Sequence, residues 1–576
     1  MAARKQILVI VALTAMLVIL SGWFTGRVSA TGPDYYHQVQ RNIELFGRVY
    51  QEISRKYVEE IDPGEFMKAG IEGMLATLDP YTVLVEKEDN QELQIMSSGK
   101  YGGLGMRIGL RGGWPTVVEP PFDGTPSTKA GIREGDRIIE IDAVSTKGLT
   151  INKVASMLRG DIGSEVFLKI ERAGEITPIE FRLIRAEIIV TDVIYSGIIE
   201  SGIGLIRLSH FSRNAGKDIE KSIRELKKGG LRALILDLRS NPGGLLDAAV
   251  KVSENFLEKG TLIVSTEGRS AGSDQQYLAA KTPILGNIPL VVLVNGLSAS
   301  ASEIVAGAIQ DHDRGVIIGS NSFGKGLVQT VIPITSEAAL KVTTARYLVP
   351  SGRSIQDPSR FLPDPDKILY KPPTDNSEKK SDEETELSAR NEVEQTYHTD
   401  KGREVLAAHG ITPDIIIEPE QRSQFEIELL RKTMPFQFSV MYAAQHPELQ
   451  RGFEVTDEML EAFRQFLKEK GFIYKSQAEL ALQRIEKIAQ ESQYLASISA
   501  SAEEIRSVIL EQESKAFGNS RDFIQEELEE EISAKLWGSR AETEASIDHD
   551  ETIQKAMDIL ADREKYDAIL TAVDAK

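Results

Sequence analysis

The sequence contains no cysteine. This excludes disulfides, thiol catalysis, cysteine-bound zinc or iron–sulfur sites, and lipid attachment through an N-terminal cysteine. Histidine is scarce, at 7 residues in 576, so the usual base of nucleophilic catalysis has few candidates. Positive charge is also short: 67 Lys and Arg stand against 87 Asp and Glu, a formal net charge of −20. A general nucleic-acid binder needs a basic surface to neutralise phosphates, and this balance argues against one.

What is present is globular. With 41% hydrophobic and 27% charged residues in 576, the chain should fold as several domains rather than around one core. Arg4 and Lys5 precede an apolar run from Ile7 to Leu20, and Val28-Ser29-Ala30 follows as a small-residue cleavage site. This is the layout of an export signal, and Gly22, Trp23 and Phe24 would lengthen it toward a membrane anchor. Residues 1–30 are therefore read as a signal peptide or N-terminal anchor. The expected location is exported and periplasmic or extracytoplasmic, with anchorage to the inner membrane as one form.

Periodicity then divides the chain. Residues 31–98 read as helical, with Ile43, Phe46, Val49, Tyr50 and Ile53 at helix spacing. Residues 99–186 read as glycine turns, strands and one short helix. From 187 to 370, all-apolar strands such as "ALILD" and "PLVVLV" alternate with helices, which predicts a mostly parallel sheet covered on both faces. Residues 371–396 are polar and charged and read as a disordered insertion. Residues 397–420 return to the core. Residues 421–576 form amphipathic helices, including the stripes Phe463/Phe466/Leu467 and Phe523/Ile524/Leu528/Ile532, suited to core or subunit contacts.

The stretch Gly319-Ser320-Asn321-Ser322-Phe323-Gly324-Lys325-Gly326 nearly spells a phosphate-binding loop. Gly326 stands where that loop needs a metal-binding hydroxyl, and "GLVQTVIPI" continues as a strand where it needs a helix. The nucleotide reading is therefore rejected. On a strand starting at Lys325, Lys325, Leu327 and Gln329 share a face, which makes the lysine and the amide neighbours.

"VNGLSASASEIVAGAIQ" is a buried strand turning into a helix through Ser298, Ser300 and Ser302. Ser300-x-x-Glu303 reads plainly as a capping box. A serine at such a turn is also exposed beside free backbone N–H groups, the setting of a nucleophile with an oxyanion hole. Of the histidines, His37, His398, His409, His446 and His549 lie outside the core strands. His312 ends the serine helix, about 18 Å from Ser300 by helical rise. His210 follows a strand and stays open. A lysine kept neutral by desolvation is the other candidate base.

The segments "SASASE", "FGKGLVQ", "DLRSNPGG", "LDPYT" and "GGLGM" to "LRGDIGS" resemble, in order, the C-terminal processing (tail-specific) proteases. The resemblance implies an α/β fold: a mixed, mostly parallel protease core with an inserted β-rich PDZ domain, followed here by a helical C-terminal region. It implies a serine endopeptidase without cofactor or metal, acting on protein or peptide tails with a free C-terminus. By motif, Ser300 is the nucleophile, Lys325 the general base and Gln329 the residue orienting the lysine. Backbone amides of Gly244 and Ala301 form the oxyanion hole, with Gly243 a near alternative to the first. Gly103, Leu104, Gly105 and Met106 form the PDZ loop and strand that take the tail carboxylate and backbone. Arg159 resembles a regulatory PDZ residue. The sequence departs from the family pattern at Val349, where threonine is common, and in the acidic insertion. A non-catalytic PDZ scaffold on a degenerate protease fold is the rival reading, and a homo-oligomer through the helical regions is compatible with either.

Overall fold

The computed structural model describes residues 33–86, 95, 97–122, 124–172, 174–335, 338–357 and 395–571. The leader at 1–30 and the insertion at 371–396 lie outside these, apart from Gln395 and Thr396.

Helices α1 (Pro33–Lys56) and α2 (Pro63–Leu75) open the described chain. Asp62 caps α2 by accepting the Glu65 N–H, and Pro63 stands at its first position, where no donor is needed. Strand β1 (Val83–Glu86) follows.

Residues 100–189 carry β2 (Lys100–Gly103), β3 (Ile108–Arg111), β4 (Trp114–Val117), α3 (Pro126–Ala130), β5 (Arg137–Ile141), β6 (Val144–Ser145), α4 (Ile151–Leu158), β7 (Glu165–Glu171), β8 (Ile179–Ile184) and β9 (Ala186–Ile189). β3-β4-β5-β7-β8 form one antiparallel sheet around Ile138, Val154, Val166 and Ile170. β3 lies at its edge, and β2 pairs with β9 to close the unit.

The next run holds β10 (Val193–Ile198), β11 (Ile203–Leu208), α5 (Ala215–Lys228), β12 (Ala233–Asp237), α6 (Leu246–Ser253), β13 (Leu262–Gly268), β14 (Gln275–Leu278), β15 (Leu290–Val294), α7 (Ala301–Asp311), β16 (Val316–Gly319), β17 (Leu327–Pro333), β18 (Ala338–Leu348), β19 (Thr396–His398), β20 (Glu404–Leu406) and β21 (Ile415–Ile416). The sheet β10-β11-β12-β15-β16-β21 is parallel except at its β10–β11 edge. β12 and β15 are buried on both faces, which is why they read as unbroken apolar runs. A second, antiparallel sheet carries β1, β18, β13 and β14, with β17 paired to β18.

The C-terminal helices are α8 (Gln424–Arg431), α9 (Met434–Gln445), α10 (Asp457–Glu469), α11 (Gln477–Glu491), α12 (Leu495–Asn519), α13 (Arg521–Trp537), α14 (Ser539–Ser546), α15 (Glu551–Ala561) and α16 (Arg563–Ile569). They do not form one separate body. Ile553 and Ile559 of α15 and Tyr566 of α16 pack on Ile235, Val291 and Ile318, covering the face of the parallel sheet that α5, α6 and α7 leave open. Tyr566 OH also bonds both the N–H and the carbonyl of Leu290, at 3.0 and 3.1 Å. α8, α9, α10 and α13 build their own aromatic core, and α13 reaches the β3–β8 unit through a buried Lys535–Glu134 ion pair of 2.8 Å. Among the described residues no helix is long and apolar enough to cross a membrane.

Candidate active site

Ser300 is the N-cap of α7, with φ +55 and ψ −111. A non-glycine residue there is strained, and the strain turns the chain sharply from β15 into the helix. The neighbouring serines are structural. Ser298 Oγ donates to Leu238 O at 2.8 Å, and Ser302 Oγ donates to Asn241 O at 2.9 Å. Ser300 and Glu303 face each other as a capping box, in which Glu303 accepts the Ser300 N–H at 2.7 Å.

Glu303 does more than cap. It is fully buried and receives four donors, Ser322 Oγ (2.5 Å) and Gly324 N (2.6 Å) on one oxygen, Ser300 N (2.7 Å) and Lys325 N (2.9 Å) on the other. Burial pushes its pKa up, and these bonds oppose that by favouring the carboxylate. Tyr347 acts from the other side. Its hydroxyl lies within hydrogen-bond reach of Ser300 O, at 3.1 Å, and of Lys325 O. The serine turn and the lysine turn are thus tied together at both their N–H and carbonyl groups.

The tie explains the broken phosphate-loop pattern. The N–H groups of Gly324 and Lys325 go to Glu303, and that of Gly326 goes to Gln356 Oε1 at 2.9 Å, so none is left to cradle an anion. A side chain at Gly326 would meet Gln356 N at 3.0 Å.

Lys325 Nζ donates to Gln329 Oε1 at 3.1 Å, and Gln329 Nε2 donates to Tyr81 O at 3.0 Å. The sequence placed the lysine and the amide side by side on a strand starting at Lys325. They do meet, although β17 begins at Leu327 and its register with β18 slips between Val328 and Gln329. The Tyr81 ring lies 4.9 Å from Nζ. Asp79 holds Tyr81 in place by accepting the Tyr81 and Thr82 N–H groups at 2.9 and 2.8 Å, which gives the "LDPYT" segment a local role. Burial pushes the Lys325 pKa down to about 8; the charge of Lys341 adds to this, against the pull of Glu303 and Asp79. No hydrogen bond joins Lys325 Nζ to Ser300 Oγ among the described residues.

The "NPGG" turn packs beneath Ser300. Gly243, at φ +96, lies so close that an added Cβ would meet Ala299 O at 2.6 Å and Ala301 N at 2.9 Å. Its own N–H is spent on Asn241 Oδ1 at 2.9 Å, which removes it as an oxyanion donor. The N–H groups of Gly244 and Ala301 have no hydrogen-bond acceptor among the described residues. Asn241 links the parts, bonding Leu208 O through Nδ2 and accepting the Ala299 N–H on its carbonyl. His312 is held by Asp400 and Leu262 O, each at 2.7 Å, at the far end of α7.

The other predicted site residues sit in the β2–β9 unit. Gly103 ends β2, Leu104, Gly105 and Met106 form the following loop, and the edge strand begins only at Ile108. Gly105 needs its positive φ of +80, and a Cβ there would meet Thr125 at 2.4 Å. Arg159 caps α4 and lies over the Tyr101 ring at 5.5 Å. Leu104, Gly105, Met106 and Arg159 line one cavity of about 560 Å³, well apart in the chain from Ser300. Among the described residues no group of three or more His, Asp or Glu is placed to hold a metal ion.

Glu303, Tyr81, Tyr347 and Asn241 were not assigned these roles from sequence. Glu303 carries a local signal as a helix cap, and Tyr81 stands within the "LDPYT" segment. Their partners arrive from distant segments.

Residues 202–365 match the family described as Peptidase family S41, and 117–172 match a PDZ domain. Residues 425–560 match a probable PDZ-protease C-terminal helical domain, and 27–89 the activating protease CtpB N-terminal domain. The chain is 38% identical over 348 residues to a carboxy-terminal-processing protease of Bartonella bacilliformis, covering 60% of this chain and 78% of the relative. It is 33% identical over 326 residues to the carboxy-terminal processing protease CtpB of Bacillus subtilis, covering 55% and 67%. Among solved structures, a photosystem II D1 C-terminal processing protease aligns at 27% identity over 65% of this chain and 93% of its own, with a TM-score of 0.34.

Proposed function

The chain belongs to peptidase family S41, among the carboxy-terminal processing proteases with a PDZ domain, and on that premise we propose that Ser300 is its nucleophile and Lys325 its general base. The observation that carries this reading is the desolvated Lys325, its pKa lowered to about 8, joined through Glu303 to the turn that presents Ser300.

The steps follow from proton balance. Neutral Lys325 takes the Ser300 Oγ proton as Oγ adds to the scissile carbonyl carbon. The N–H groups of Gly244 and Ala301 receive the oxyanion. The resulting ammonium returns its proton to the leaving amine, leaving an ester on Ser300. Water then adds to the ester, giving a proton to Lys325, and Oγ leaves with that proton restored. Gln329, fixed by Tyr81 O, orients Nζ without placing a charge beside it. In this step the lysine side chain turns from Gln329 toward Oγ. The four donors on Glu303 and the packed Gly243 keep the two backbones fixed while it occurs.

The PDZ unit captures the substrate's C-terminal tail. Its free edge, β3, would accept the peptide as an added strand, and the Leu104–Met106 loop would take the terminal carboxylate. Arg159 on the same cavity is the candidate regulatory contact. The N-terminal pattern supports an exported, anchored or secreted enzyme. Exposed Ile43, Leu45 and Val49 on α1 suit contact with a second copy.

The test is cleavage of an unstructured substrate with a free C-terminus. Activity should vanish in Ser300→Ala and in Lys325→Ala, and amidation of the substrate terminus should weaken capture. Cleavage surviving in both variants would end the dyad assignment.

A further inference from the structure

A second cavity, of about 450 Å³, lies where α9 and α10 meet the β3–β8 unit. The helices are seated closely there: a Cβ on Gly135 would stand 2.7 Å from the Val440 side chain. Phe436 and Phe466 give the cavity an aromatic wall on the helical side. The 560 Å³ cavity reaches β3 at Ile108, and this one begins at Arg111, the last residue of the same strand.

Its charge is the reverse of the chain's. Arg111, Arg137, Arg172 and Lys470 line it against two carboxylates, Glu171 and Glu175, in a chain of net charge −20. Two of these cations are answered: Arg137 pairs with Glu171 and Arg172 with Asp136, each at 2.7 Å. Among the described residues Arg111 and Lys470 have no ion-pair partner. Half-buried Arg111 donates to the carbonyl of its neighbour Leu110 at 3.1 Å, and its Nε is buried without an acceptor. Its guanidinium lies 5.4 Å from the Phe436 ring, and exposed Lys470 lies 5.4 Å from the Phe466 ring. A partly desolvated guanidinium with no carboxylate beside it gains from an arriving anion.

The strand decides what reaches this cavity. A tail whose carboxylate sits at Leu104–Met106 must run antiparallel to β3, so its upstream residues pass Ile108 and then Arg111. With the terminal residue opposite Met106, the fifth residue upstream lies opposite Arg111, after about 17 Å of extended chain. Facing follows from alternation. Ile108 pairs with the fully buried Val117 and packs on the core of the unit. Arg111, three steps on, belongs to the other face, where Phe436 of α9 meets it. Directly opposed residues share a face, so the fifth upstream side chain turns to Arg111 and the helices.

We propose that this cavity is a second subsite for the substrate tail, in which Arg111 and Lys470 select an acidic side chain at the fifth residue upstream of the terminal one. The proposal rests on the tail-capture reading above and names the class of tail that is preferred. The C-terminal helices thereby take part in substrate recognition, besides covering the parallel sheet. A carboxylate at that position meets two cations already in place. An amide there carries no charge to pair with them, and a carboxylate one residue nearer the terminus faces away from them.

The test measures binding of fluorescent tail peptides to the full chain. One peptide carries Glu at the fifth upstream position, one carries Gln there, and one has the Glu moved a single residue toward the terminus. Each is made with a free and an amidated terminus. The first should bind at least fivefold tighter than the other two. That preference should shrink to within twofold in Arg111→Gln, with the Gln peptide bound as by the parent, and should weaken in Lys470→Gln. Lys470 is exposed, so its variant carries the test if Arg111→Gln does not fold. Equal binding of the Glu and Gln peptides, a preference for the shifted Glu, or a full preference surviving in the variants would overturn the subsite. Free and amidated peptides binding alike would instead overturn tail capture, and the subsite with it, so the two failures are separable.

Discussion

Ser300 and Lys325 donate their backbone N–H groups to the same oxygen, Glu303 Oε2, at 2.7 and 2.9 Å. One residue comes from the end of the parallel sheet and the other from the turn leading into the antiparallel one. A single buried carboxylate therefore sets the spacing of two groups that neither sheet alone could register. The Tyr347 hydroxyl repeats the link at their carbonyls.

Glu303→Gln places an NH₂ group against two of the four donors that the carboxylate now accepts. Buried donors left unpaired cost about 1–3 kcal/mol each, so a loss of roughly 2–6 kcal/mol in unfolding free energy is expected. kcat should fall at least a hundredfold in the fraction that stays folded. Denaturant titration and kinetics on the same preparation check both, and wild-type kcat in a destabilised variant would show that Glu303 serves the fold alone.

The reaction needs Lys325 neutral, and its pKa is lowered to about 8. Protonation below that value removes the base, so kcat/KM should rise with pH, about tenfold per unit, until it levels off above about 8. Gln329→Glu puts a carboxylate where Nζ now meets an amide oxygen. An adjacent opposite charge favours the ammonium by about 1–3 units, so the rise should move to higher pH. A downward shift would contradict the role given to Lys325.

Gly243→Ala tests the packing under the serine. The residue has φ +96, and the new methyl would press on Ala299 O and Ala301 N. Displacing an oxyanion donor costs roughly 10²–10³ in kcat, and KM should change little. A drop confined to KM would place the damage in substrate binding instead.

Much of this site was legible in the sequence because its signals are local. The strand–serine–helix turn and the lysine–amide pair each fall within a few residues. The rejection of the phosphate loop also held on local grounds, since β17 follows Lys325 where a helix would be needed. Glu303 was read only as a cap because its other donors, Ser322, Gly324 and Lys325, come from a turn that folds back onto α7. The Tyr81 ring under Lys325 depends on β1 pairing with β18, a contact of long sequence separation. The apolar stripes of the C-terminal region were visible as helix faces. That α15 and α16 cover the parallel sheet was not, because periodicity identifies a buried face without naming its partner.

The central claim, Ser300 as a nucleophile activated by Lys325, is tested most directly by covalent labelling. The protein is treated with a fluorophosphonate near pH 8.5 and digested, and the modified residue is located by mass spectrometry. The account predicts a single adduct on Ser300, with its formation slowed at least a thousandfold in Lys325→Met. An adduct on Ser298 or Ser302, or labelling of Ser300 at an unchanged rate in Lys325→Met, would contradict it.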